Sequence, residues 1–209
     1  MLARLKRNWQ LRRLKDPAYA HLFDDYAGDE AVSIDCETTG LDTRRDQILS
    51  VGAVRIRGDE ILTSERLDFY VKPTEPVPEA TILIHHIRPV DLERAPDVGE
   101  AMRRVLDFVG PRPLVGYFLE FDAAMLERYL RPMLGTGLPN RRIEVSSLYY
   151  DWRARQLPAG SNIDLRFETI RRQLDLPRVG AHDAYNDALM TAMMYLRLKG
   201  GWRSQESRR

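Results

Sequence analysis

Residues 47–73 read QILSVGAVRIR, then RGDE, then EILTSERLDFYVKP. Two runs rich in β-branched and aromatic residues, joined by a short turn containing glycine, can only fold back on each other as a β-hairpin. The apolar run at 31–36 supplies a third strand to this meander. After the proline-rich connection PTEPVPEA the pattern changes to a helical period. Residues 97–110 place Val98, Met102, Val105, Leu106 and Val109 on one side, with Gly110 as a stop. A short buried strand (112–118), a helix (120–134) and a strand running into a helix (141–151) follow. Two more helices (164–176 and 181–200) close the chain. Three strands followed by alternating helix and strand imply an α/β domain: a mixed five-stranded sheet flanked by helices.

At 209 residues the chain has room for one sizeable domain with an appendage. Its 32 basic and 31 acidic residues balance to a formal charge of +1, so bulk charge does not mark a nucleic-acid binder, though a local patch would suffice. One cysteine excludes an internal disulfide framework and fits a reducing, cytoplasmic setting. No apolar run is long enough to span a bilayer, so stable membrane insertion is not expected.

The first 28 residues stand apart as a basic extension, before an expected domain at 29–200 and a polar tail at 201–209. Arg4, Lys6, Arg7, Arg12, Arg13 and Lys15 face only Asp16 within residues 1–16. Leu2, Leu5 and Trp9 recur at helical spacing, Leu11 and Leu14 extend the apolar side, and Pro17 is expected to end the helix. Such a helix can pack its leucines on the domain, contact phosphates, dock a protein partner or touch a membrane surface weakly.

The first strand carries Asp35 and Glu37 with only Cys36 between them. Strand side chains alternate, so both acids share one face and Cys36 packs on the other. Two adjacent carboxylates near a buried sheet end repel each other, and a hard divalent cation relieves that repulsion. Asp122 falls at the junction of a strand and the following helix, where ligand groups collect in open α/β sheets. The last helix carries His182, suited to moving a proton near neutral pH, and Asp187. Taken singly, each of these is better read as an ordinary solvated or helix-capping residue.

Taken together, DCE (35–37), Asp122 in FLEFDAAML and HDAYND (182–187) resemble the DEDD superfamily of 3′-to-5′ exonucleases in its DEDDh, or DnaQ-like, branch. The segment ETTGLD and the stretch IHHIRPVDLERAPDV (84–98) are also similar to that family. The chain departs from the pattern at Tyr117-Phe118, where many members have His-Asn. It also departs at His86, Arg88 and Ser146-Ser147.

The resemblance implies a ribonuclease H-like fold and hydrolysis of nucleic acid from its 3′ end, DNA favoured and RNA an alternative. It implies two divalent cations, Mg²⁺ or Mn²⁺, held by Asp35, Glu37, Asp122 and Asp187, with His182 as general base. Thr38, Thr39, Gly40, Leu41 and His85 would meet the terminal nucleotide. An RNA-trimming enzyme of the oligoribonuclease or RNase T type is the alternative substrate class. A non-catalytic module that binds a nucleic-acid end or docks on a polymerase is the alternative outside catalysis.

Overall fold

The computed structural model describes residues 2–180 and 183–200, of which residues 2–6 are described in backbone only. In chain order the elements are helix α1 (Leu2–Arg13), a 3-10 turn (Pro17–Phe23), and strands β1 (Glu30–Thr38), β2 (Ile48–Arg57) and β3 (Glu60–Tyr70). Helices α2 (Glu79–His85), α3 (Pro89–Leu92) and α4 (Val98–Val109) follow, then β4 (Leu114–Gly116) and α5 (Leu119–Leu134). The chain continues through β5 (Arg142–Glu144), α6 (Val145–Ala154), α7 (Phe167–Gln173) and α8 (Ala184–Lys199).

The strands form one five-stranded sheet in the order β3-β2-β1-β4-β5. β2 pairs antiparallel with β1 and β3, and β4 runs parallel to both β1 and β5. The hairpin expected from RGDE closes at Gly58-Asp59, with Arg57 paired to Glu60. The expected mixed five-stranded architecture is the one the chain adopts.

Helices cover both faces. Val32, Ile34 and Cys36 of β1 join α4, α5, Leu22 and Phe23 in one apolar cluster. Ala31 of β1 joins residues of α6, α7 and α8 in the other. Strand alternation therefore sends Ser33, Asp35 and Glu37 toward α8. Gly52 of β2 lies opposite Asp35 in the register. A Cβ there would come within 2.1 Å of the Ala184–Tyr185 backbone, so only glycine lets α8 begin this close to the sheet. The buried Ser33 hydroxyl donates to the Ala188 carbonyl at 2.7 Å and ties the same helix to β1.

Three local features differ from the sequence reading. Helix α1 ends at Arg13, and Pro17 instead opens the 3-10 turn, capped by Asp16 accepting from the Ala18 amide at 2.9 Å. Short helices α2 and α3 occupy the segment after the proline-rich connection. α2 escapes a periodicity test because it exposes Leu83 and Ile84 while burying His85. α8 starts at Ala184 rather than 181, because Asp183 caps it by accepting from the Asn186 amide at 2.9 Å. Within the N-terminal segment, Leu11, Leu14 and Tyr19 pack on the first cluster. The Lys15 amide and ammonium donate to the Leu134 and Pro132 carbonyls, both at 2.9 Å, and satisfy the C-terminal end of α5. Trp9 stays exposed beneath the Arg13 guanidinium.

Glu30 locks the start of the sheet. Its carboxylate bridges Arg57 at the end of β2, at 2.7 Å, and Arg112 just before β4. These partners hold its carboxyl below the usual carboxylate range, the Arg112 hydrogen bond contributing most. A depressed folded-state pKa stabilises the fold above the unfolded value and is lost as pH falls through the folded one. We expect Glu30→Ala to cost about 1–3 kcal/mol near neutral pH. Denaturant titrations of both proteins should show the difference shrinking as pH drops below about 4; a pH-independent difference would contradict the ion-pair role.

Candidate metal centre and substrate cleft

Asp35, Glu37 and Asp187 each offer a carboxylate oxygen, and these atoms all lie within 4.8 Å of one another. β1 supplies the first two from one strand face, and the first turn of α8 supplies the third. Three oxygen donors converging in this way suit a hard divalent cation such as Mg²⁺ or Mn²⁺. Asp122 sits in the first turn of α5, almost fully buried. Its Oδ1 accepts from the Cys36 amide at 3.0 Å, between the two β1 acids. The structure thus brings three of the four proposed ligands together and anchors the fourth on the strand beside them.

Asp122 is carried into this position by packing. Leu119, Met125, Leu126, Leu130 and Leu134 of the same helix are buried. At about 1.5–3 kcal/mol each, their burial outweighs the several kcal/mol cost of taking one carboxylate out of water.

The electrostatics follow from the geometry. Burial, then the charges of Asp122, Asp187, Glu37 and Asp183, push the Asp35 carboxyl well above its usual range. Burial and the charges of Asp187 and Asp183 push Glu37 up to about 7. Burial also raises Asp122, against the opposing hydrogen bonds from the Cys36 amide and its own amide. A cation between these groups would reverse every one of these shifts. The Cys36 thiol is buried in the apolar cluster on the opposite face of β1 and pushed up, chiefly by that burial, so it packs as a small apolar side chain.

His182 lies outside the described residues. Of the nucleotide-contact candidates, Thr38 and Thr39 shape the loop after β1. Thr38 Oγ1 donates to the Gly40 carbonyl at 2.7 Å. Thr39 is buried; its hydroxyl donates to Asp46 and accepts from the Gln47 amide, both at 2.9 Å. Gly40 lies against the Asp46 carboxylate, which a Cβ would meet at 2.5 Å. Leu41, 85% exposed, is the one of the four whose side chain stands free in solvent. His85 is buried at the end of α2, with Nδ1 accepting from the Ile87 amide at 3.0 Å. Its neighbour His86 takes the left-handed conformation (φ 59°) that ends the helix. Arg88 and Arg142 make ion pairs, with Asp91 at 2.9 Å and Glu127 at 2.7 Å.

Sequence reasoning missed three groups. Glu144 accepts from the Phe118 and Leu119 amides at 3.2 and 2.9 Å and so fixes the turn that leads to Asp122. Asp183 adds a further negative charge beside Asp35 and Glu37. Beside Asp35 and Asp187 opens a cleft of about 590 Å³, lined also by Tyr117, Phe167, Arg171 and Arg178. A glutamate two residues before the Ser-Ser departure was the linear cue for Glu144. The cleft had none, because its walls come from β1, the turn after β4, α7, the segment after α7, and α8.

The RNase T exonuclease family matches residues 32–195, and the chain belongs to that family. A DNA polymerase III subunit epsilon-like protein of Rhodobacter capsulatus is 31% identical over 168 residues. That match covers 80% of this chain and 23% of the relative, so the chain spans about a quarter of that protein. The DNA polymerase III subunit epsilon of Aquifex aeolicus is 27% identical, with 80% of this chain and 79% of the relative covered. Escherichia coli exonuclease I, solved with a dT13 oligonucleotide, superposes with a TM-score of 0.69 at 20% identity. The superposition covers 82% of this chain and 41% of that one, and it shows a shared fold.

Because the three clustered carboxylates repel, neutralising one should stabilise the metal-free protein. We expect Glu37→Gln to raise the Tm in chelator by a few degrees, about 2–4 °C per kcal/mol relieved in a chain of this size. Mn²⁺ should raise the Tm of the parent more than that of the variant. Thermal melts with and without metal check both; a variant that melts lower in chelator would contradict the repulsion.

Proposed function

We propose that the chain is a metal-dependent 3′-to-5′ exonuclease that releases nucleoside 5′-monophosphates from DNA 3′ ends. The observation that carries this reading is the convergence of the Asp35, Glu37 and Asp187 carboxylates in a chain of the exonuclease family. The likeness to a structure solved with a DNA oligonucleotide favours DNA as the substrate. Among the described residues no helix is long and apolar enough to cross a membrane. The single buried cysteine fits a reducing, cytoplasmic setting.

Asp35, Glu37 and Asp187, with Asp122 beside them, would hold two divalent ions. Four carboxylates carry about −4 against the +4 of two such ions. Bound there, the ions would act as Lewis acids at the scissile phosphate. The protein's own contribution is to converge the acids and exclude competing geometries. β1 fixes the Asp35–Glu37 spacing, the Cys36 amide orients Asp122, and the Asp183 cap sets the first turn that carries Asp187. In the reaction a water oxygen bonds to phosphorus as the bond to the 3′ oxygen of the preceding nucleotide breaks. His182, five residues before Asp187, accepts the water proton, and the leaving 3′ oxygen is protonated in turn.

The deciding experiment incubates 3′-labelled DNA and RNA oligonucleotides, single and double stranded, with Mg²⁺ or Mn²⁺. Mononucleotide release that stops with chelator and returns with metal is expected, faster on DNA. Activity undiminished in excess chelator would rule the mechanism out. Asp187→Asn should abolish release while circular dichroism stays native. His182→Ala should slow release by about 10²-fold or more and flatten the acid limb of the pH–rate profile; a parental profile would remove His182 as base.

A further inference from the structure

Phe118 is poorly explained by folding alone. It is 71% exposed and adopts φ 61°, a left-handed conformation that glycine or asparagine reaches far more readily than an aromatic residue. The backbone is held there by the Glu144 carboxylate, which accepts from the Phe118 and Leu119 amides. Among the described residues the ring meets one aromatic neighbour, Tyr117, at 5.9 Å between centroids. Tyr117 in turn packs edge-on against Phe167 at 5.0 Å, and its hydroxyl donates to the Leu165 carbonyl at 3.0 Å. Tyr117 and Phe167 line the cleft beside Asp35 and Asp187, and the exposed Phe118 ring adjoins Tyr117 of that wall. Arg171 and Arg178 line the same cleft, Arg171 paired at 2.7 Å with Glu168, which lines it too, so that Arg178 is the cation more open to a phosphate.

An exposed ring on a row of aromatic side chains, with cations in the same cleft, is the combination that binds unpaired nucleic acid. Bases stack on the rings while phosphates follow the positive charge. Inside a duplex each base has both faces covered by its neighbours and the terminal pair offers only its outer face, whereas an unpaired base can turn either face to such a ring. We propose that Phe118 is a stacking platform for a nucleobase of an unpaired 3′ end and biases the enzyme toward single-stranded over duplex ends. This rests on the exonuclease reading and adds a specificity determinant to it.

The test compares the parent protein with Phe118→Ala, Phe118→Tyr and Phe118→Trp, all of matched Tm. Steady-state kinetics are measured on single-stranded and blunt duplex DNA ends in Mg²⁺. Phe118→Ala should raise KM on single strands by roughly 5- to 100-fold, the worth of one base stack, with kcat and duplex activity little changed. The aromatic replacements should keep the parental KM. On oligonucleotides with one abasic residue placed stepwise from the 3′ end, the parent and Phe118→Ala should become equal at the position whose base stacks. Quenching of an oligonucleotide carrying 2-aminopurine reads stacking without hydrolysis, and Phe118→Ala should lose it. Parental kinetics and quenching in Phe118→Ala would overturn the proposal, as would equal losses on single and double strands or loss in the aromatic variants. Absence of metal-dependent release by the parent would instead indict the exonuclease reading, with the quenching comparison still deciding the platform.

Discussion

The close seating of α8 on the central strands governs this molecule. Gly52 leaves room for the helix backbone where any Cβ would strike it, and the buried Ser33 hydroxyl holds the Ala188 carbonyl from the neighbouring strand. Because Gly52 lies opposite Asp35, the point of closest approach is also the point where the metal-binding face begins. A helix seated a few ångströms higher would lose the convergence of Asp187 with Asp35 and Glu37 along with its packing on the sheet.

That convergence is electrostatically unfavourable in the bare protein. Burial and mutual repulsion raise the acids, and Glu37 reaches about 7. The fold tolerates this because its hydrophobic clusters on both faces of the sheet are extensive and because Asp122 is tethered to the Cys36 amide. The same unfavourable energy is what a divalent cation would release on binding, so affinity for metal and strain in its absence have one source. Glu144 and Asp183 extend the principle to the backbone: one holds the β4–α5 turn, the other the start of α8.

Much of the fold was legible because periodicity reports burial. The alternation in β1 correctly sent Cys36 into the core and the two acids to the opposite face. The 97–110 period placed α4 within a residue of each end. Helix α2 was not legible, since its apolar side chains point to solvent and its histidine points inward. The loop after β1 shows what else the chain does not display. The hydroxyls of Thr38 and Thr39, residues expected to meet the terminal nucleotide, hydrogen-bond Gly40 and Asp46 and hold the loop that presents Leu41. A hydroxyl serves either role, and the linear chain carries no sign of which acceptor lies nearest.

The sequence by itself determined the family, the order of the strands and the longer helices, and the residue types of the candidate metal centre, because motif spacing and hydrophobic period are properties of the chain. Only the tertiary structure decided that three carboxylates meet within 4.8 Å while the fourth is held on the Cys36 amide. It alone revealed a cleft walled by aromatic side chains and arginines from separate elements. The physical reason is distance along the chain: Asp35 and Asp187 are brought together by a glycine on a neighbouring strand and the capping of a helix, and neither can be read from the acids themselves.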